Sequence, residues 1–164
     1  MRRARKRAEG AKVVKPTYPV VGQVFELTLD GDAPENQPLA MVRRIGYSTW
    51  EKWLYKGPTV KGIQTGVFKL VEFDRFLKFD DLHRILDTHG RIPEGQWAQA
   101  FKTAYPKYDG VCSIGFPDKS WVDDIGWNRH PLMYYTDYIL NLGLAHRDGR
   151  IDLWHPWLWL VEVR

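Results

Sequence analysis

Beyond residue 111 the chain shows no helical period. Short apolar segments alternate with Gly, Pro, Asp and Asn to the C-terminus. A segment patterned this way buries its apolar residues as an irregular antiparallel sheet, with strands expected at residues 111–116, 120–122, 132–140 and 158–163. Helical spacing occurs immediately upstream. Phe79-Asp80-Asp81 opens a helix through His89, with Leu82, Ile85 and Leu86 as its apolar stripe and Gly90 at the C′ position. A second helix follows, with Pro93 in its first turn, Glu94 complementing the dipole, and Trp97, Ala100, Phe101 and Ala104 facing inward, before Pro106 stops it.

Two strands precede these helices. In residues 23–29, Phe25, Leu27 and Leu29 share one face at period two. In residues 67–73, Val67, Val71 and Phe73 share a face with Lys69 between them. Residues 30–38 are dense in turn formers and are expected to be a loop. Ser48 and Glu51 have capping-box spacing and Gly57-Pro58 is a stop, which predicts a short helix over 49–56 with Trp50, Trp53 and Leu54 packed inward. The class is therefore α+β: two helices packed on a loop-rich antiparallel sheet. A length of 164 residues suits one domain, 17–164, whose residues 17–64 form an N-terminal extension.

The charge is unevenly placed. Residues 1–16 hold seven of the 24 basic residues (Arg2, Arg3, Arg5, Lys6, Arg7, Lys12, Lys15) and one of the 20 acidic ones, Glu9, leaving 17 basic against 19 acidic in the rest. The tail is basic and expected to be flexible, while the domain is close to neutral. Such an arm suits a phosphate backbone, so nucleic-acid binding through residues 1–16, with aromatic rings stacking on bases, is the alternative functional class. No apolar run reaches the roughly 18–20 residues of a membrane span, and no apolar segment of a secretory signal follows the basic start. The single cysteine, Cys112, excludes an internal disulfide and any CxxC motif. A cytoplasmic location is the default expectation, with surface export left open.

The order strand, helix, helix, loop-rich sheet, final strand resembles the C-type-lectin-like fold, in which the last strand pairs back with the first. Arg91-Ile-Pro-Glu-Gly-Gln-Trp97 is similar, one residue shorter, to the segment that opens the second helix in the formylglycine-generating-enzyme branch. Leu160-Val-Glu-Val-Arg164 is similar to the terminal strand of that branch, and Val111-Cys-Ser-Ile-Gly115 resembles a strand shared by related bacterial proteins. The resemblance covers roughly residues 65–164 for the fold. Calcium-dependent sugar binding in C-type lectins needs an acidic residue after Trp-Asn, whereas Trp127-Asn128 here is followed by Arg129. The formylglycine chemistry needs a cysteine pair, which one cysteine cannot supply.

What the resemblance leaves is non-catalytic ligand binding on a display scaffold, as in the variable proteins of diversity-generating retroelements. Those proteins carry their binding residues on the loop-rich face near the C-terminus. The corresponding region here holds Tyr134, Tyr135, Asp137, Tyr138, Asn141, His146, Trp154, His155 and Trp157, a set suited to a macromolecular ligand. Strand parity assigns Trp159 to the core, and Trp97 and Trp121 are expected there too. Trp154, His155 and Trp157 straddle Pro156, which breaks ladder pairing and places them in a loop. No cofactor or metal is expected: His83 and His89 stand six apart on one helix, and His130, His146 and His155 have no ligand spacing. Asp123-Asp124 is expected to be a solvated turn rather than an acid–base pair, and Cys112 an inert strand thiol.

Overall fold

Strict alternation makes Val24–Asp30 (β1) a half-buried strand: Phe25, Leu27 and Leu29 are buried and the residues between them exposed. The computed structural model describes residues 18–45, 52, 54–73, 79–108, 113–118, 120–136, 139–146 and 157–163. Within them the chain continues through a 3-10 turn (Pro34–Asn36), α1 (Pro38–Ile45), β2 (Leu54–Tyr55), β3 (Ile63–Glu72), α2 (Phe79–His89) and α3 (Trp97–Ala104). It then runs through β4 (Ser113–Gly115), β5 (Trp121–Val122), β6 (Asn128–Thr136), β7 (Ile139–His146) and β8 (Trp157–Glu162). The strands form one mixed sheet in the order β1-β3-β8-β4-β6-β5-β2, with β7 on the other side of β6. The α+β class expected from sequence holds, but the described residues contain three α-helices rather than two, and the parallel pairing of β4 with β8 makes the sheet mixed rather than antiparallel.

β8 is an interior strand, flanked by β3 and β4, and is buried on both faces, which is why its sequence is almost continuously apolar. Leu158 and Leu160 join the main core with Phe25, Leu27, Phe68, Leu70, Trp97, Phe101 and Ile114. Trp159 and Val161 face the other way, against Val71, Leu82 and Leu86 of β3 and α2. The parity read from sequence is correct here, and Trp97, Trp121 and Trp159 are all buried. β8 pairs antiparallel with β3 over five residues, from Phe68↔Glu162 to Glu72↔Leu158. It pairs in parallel with β4, from Ser113↔Trp157 to Gly115↔Trp159.

Several expectations are corrected. Residues 54–56 are not helical: Leu54 and Tyr55 pair with Val122 and Trp121, and Leu54 is 55% exposed. Pairing with β5 outweighs the local capping signal; Trp50 and Trp53 lie outside the described residues. The loop expected over 30–38 contains a 3-10 turn and ends at α1, which the turn-rich composition concealed. On β3 the expected face is buried only in part: Val71 and Phe73 pack in the second cluster while Val67 is exposed, and Phe68 and Leu70 on the opposite face join the main core. The single strand expected over 132–140 is instead a hairpin, β6 and β7, joined by two residues. The second helix starts at Trp97, not at Pro93.

Gly90 follows α2 as expected but for a different reason. It has no positive φ; a Cβ there would stand 2.2 Å from the Glu162 carbonyl oxygen. The close approach lets Arg91 and Glu162 exchange two backbone hydrogen bonds of 2.8 and 2.9 Å, which fixes the end of α2 to β8.

Candidate functional site

The register of the sheet sorts the candidate residues into rungs. One rung runs Leu158–Ile114–Met133–Leu142 across β8, β4, β6 and β7, and its first three side chains are buried. One residue nearer the β6–β7 turn, Trp157 pairs with Ser113 and Tyr134 with Asn141. Because β4 and β6 run antiparallel, Ser113 stands level with Tyr134, and the next rung is Trp157–Ser113–Tyr134–Asn141. Tyr135 follows, opposite Leu140. Thus the backbone positions of four of the expected site residues, Tyr134, Tyr135, Asn141 and Trp157, lie at one end of the sheet, with Tyr134 and Tyr135 at successive, face-alternating positions of β6.

His146 does not join them. It pairs with Arg129, five residues back along β6, or about 17 Å at strand rise. Trp157 lies within β8 rather than in the loop expected from Pro156. Asp137, Tyr138, Trp154 and His155 lie outside the described residues, as does the basic tail.

Sequence reading missed a concavity of about 270 Å³ beside α2, lined by His83, Arg91, Glu94, Asp118 and Ser120 between Pro93 and Pro117. Asp118 is 6% exposed, and its two carboxylate oxygens accept hydrogen bonds from the Gly95 amide (2.8 Å) and the Ser120 amide (3.0 Å). Burial pushes its carboxyl above the ordinary range, against the lowering effect of the Ser120, Gly95 and Tyr55 bonds. Burial and the Asp118 charge also push the Tyr55 phenol up. The Pro-Asp-x-Ser turn pattern was the available signal, but nothing local shows that it is buried.

Arg91 donates to both oxygens of Glu94 (2.8 and 3.2 Å) and to Glu162, and Glu94 also accepts the Trp97 indole N–H at 3.2 Å. Burial alone would raise the Glu94 carboxyl, but its bonds, led by Arg91, hold it below the ordinary value. Gln96, 1% exposed, accepts the Val60 amide and donates to the Asn36 carbonyl. The Arg91–Trp97 segment that carries the family resemblance therefore ties the entry of α3 to β8, to residue 60 and to residue 36. Its polar groups are occupied by the fold. Among the described residues no three His, Cys, Asp or Glu side chains are grouped to hold a metal ion, and no helix is long and apolar enough to cross a membrane.

The β5–β6 turn corrects a further expectation. Asp124 is exposed, but Asp123 is buried: one carboxylate oxygen accepts the Ile125 (3.1 Å) and Trp127 (2.8 Å) amides, and the other holds the Arg129 guanidinium at 2.7–2.8 Å. Burial would raise this carboxyl; the Trp127, Arg129 and Ile125 bonds together hold it below its ordinary value. A depressed folded-state value stabilises the native state above the unfolded value, about 4, and that stability is lost as pH falls through the folded value. We expect thermal midpoints to fall on acidification below about pH 4, and Asp123→Asn to remove part of that fall. An identical acid profile in the variant would show that the carboxylate is not the clamp.

Comparison with protein families, with curated proteins and with solved structures gave no match for this chain.

Proposed function

We propose that this chain is a non-catalytic ligand-binding display protein on a C-type-lectin-like frame, similar to the variable proteins of diversity-generating retroelements. The observation that carries the reading is the return of the last strand, β8, to antiparallel pairing with β3, the strand that immediately precedes the two helices. The hairpin β6–β7 then sits in the place of the loop-rich binding face. Its turn end carries Tyr134, Tyr135 and Asn141, with Trp157 in the same rung as Tyr134. Asp137 and Tyr138 follow β6 directly in sequence and belong to the same proposed face. The ligand is a macromolecule met by aromatic rings, which offer large contact area at little rotamer cost.

The test is twofold. A near-copy of the DNA encoding the C-terminal third, differing mainly at template adenines and lying beside a reverse-transcriptase gene, is expected at the locus. A locus with neither removes the variable-protein reading. Independently, the reading requires Tyr134→Ser, Tyr135→Ser and Trp157→Ser each to change stability by less than about 0.5 kcal/mol, the change usual for substitutions away from the core. A loss of about 2 kcal/mol or more in all three, read by urea unfolding, would make these rings core and end the site assignment.

A further inference from the structure

β1 is an edge strand: among the described residues it pairs with β3 on one side and with no strand on the other. The direction of its backbone groups follows from the neighbouring ladder. The Val163 amide donates to the Val67 carbonyl (2.7 Å), so Val67 turns its peptide groups toward β8. Its partner on β1, Glu26, therefore turns its own N–H and C=O away from β3. The Gly31 amide, bonded to the Gly62 carbonyl at 2.8 Å, sets the same phase from the other end. Val24, Glu26, Thr28 and Asp30 thus point their backbone outward along an open edge. Of these groups, the Asp30 carbonyl is taken by the Asn36 side-chain amide at 2.9 Å.

Long edges are ordinarily guarded by a bulge, a proline or a lysine. β1 runs seven residues in unbroken one-to-one register and has none of these. What it has is charge of one sign: the four outward positions carry exposed side chains, and two of them, Glu26 and Asp30, are acids. Lys69, on the same face of β3, stands opposite Val24, at the far end of the strand from Asp30. The geometry points to strand addition at β1 by an extended segment of a partner protein, bearing two Lys or Arg residues spaced as Glu26 and Asp30 are. Main-chain bonds at Glu26 and Thr28 supply the affinity, and the side-chain spacing supplies the selection. Opposite charges facing each other across an antiparallel pair stabilise it, and like charges oppose it. Between the acids Thr28 is neutral, its hydroxyl 3.0 Å from that of Thr65, so a β-branched residue fits opposite it. A second copy of β1 is the wrong partner, since it brings two acids and no cation to the same edge. The inference does not rest on the proposed display face, because β1 stands four strands from β6, about 19 Å away.

The probe is a fluorescein-labelled heptapeptide, Thr-Lys-Val-Thr-Val-Lys-Thr, titrated with the full chain and read by anisotropy. Saturation with a Kd below about 1 mM is expected, with binding about tenfold weaker when Glu replaces both Lys. N-methylation of the central Thr, whose N–H faces β1, should weaken binding about tenfold or more. Methylation of a flanking Val, whose N–H faces away, should weaken it less than about threefold. Glu26→Lys should reverse the preference between the two peptides. Thr28→Pro removes an outward N–H without breaking a bond to β3, since Thr28 occupies a non-bonded position opposite Thr65, and should end saturable binding. If the proline variant unfolds, the methylated peptides decide the question on the native chain. Equal binding of the Lys and Glu peptides, equal effects of the two methylations, or no saturation overturns the inference. Self-association in sedimentation velocity that Thr28→Pro abolishes assigns the edge to a second copy and overturns it too. So does binding about tenfold tighter to a full chain carrying Arg3→Ser, Arg5→Ser and Arg7→Ser, which assigns the edge to the chain's own basic arm.

Discussion

Phe101→Ala is expected to cost about 3–5 kcal/mol, the range for removing a fully enclosed phenyl ring. Phe101 has no exposed surface. Its ring meets those of Phe25 (5.9 Å), Tyr105 (4.9 Å), Tyr108 (6.3 Å) and Phe116 (6.3 Å). These partners come from β1, from the two ends of the turn after α3 and from the residue after β4, so a single side chain joins segments 91 residues apart in sequence, from Phe25 to Phe116. Edge-to-face packing adds to the area term, since pairs in this geometry are worth about 0.5–1.5 kcal/mol beyond burial. Phe101→Leu keeps most of the volume and is expected to lose less than half as much. Urea unfolding with an unchanged m-value is the measurement. A loss below about 1 kcal/mol for the alanine variant would mean that the surrounding rings close over the space, and that this junction is not a rigid core.

That junction was largely visible beforehand. Helical spacing placed Trp97, Ala100, Phe101 and Ala104 on one face of α3, and period two placed Phe25, Leu27 and Leu29 on one face of β1; all are buried except Ala104, which is exposed in the last turn of α3. Parity separated Leu158 and Leu160 from Trp159 and Val161, and the two sets pack in two different clusters. Such signals survive because they depend on the local period alone.

What sequence concealed depends on partners far along the chain. Leu54 and Tyr55 are strand residues only because Val122 and Trp121 lie opposite them. Between the ends of β6 and β7 the sequence, Asp137-Tyr138, carries no Gly or Pro, so the hairpin read as one strand. The candidate face divides for the same reason. Tyr134 and His146 lie twelve residues apart in sequence, and only the register of the hairpin sends one to each end of β6. Asp123 and Asp124 differ by one position, but one is clamped by Arg129 and the other is exposed, a contrast that adjacency could not disclose.

Asp118→Ala is the second large effect. Its carboxylate joins the turn before α3 to the turn between β4 and β5, and the alanine variant leaves the buried Gly95 amide and the half-buried Ser120 amide without their acceptor. Each unsatisfied amide costs about 1–3 kcal/mol, and relief of an ion that burial disfavours returns part of that, so a net loss of about 2–3 kcal/mol is expected near neutral pH. Asp118→Asn keeps one acceptor and is expected to fall between the alanine variant and the wild type. The pH dependence separates this group from Asp123. The Asp118 carboxyl is raised in the folded state, so the stability it contributes is fully present below its unfolded value, about 4, and is lost as pH rises through the folded value. Asp123 has the opposite sign. Wild-type stability is therefore the difference of two opposed acid profiles. Asp118→Asn should steepen the loss of stability on acidification, and Asp123→Asn should flatten it. If both asparagine variants change the acid slope in the same direction, one of the two carboxylates does not have the environment described above, and the variant that departs from its expected sign identifies which.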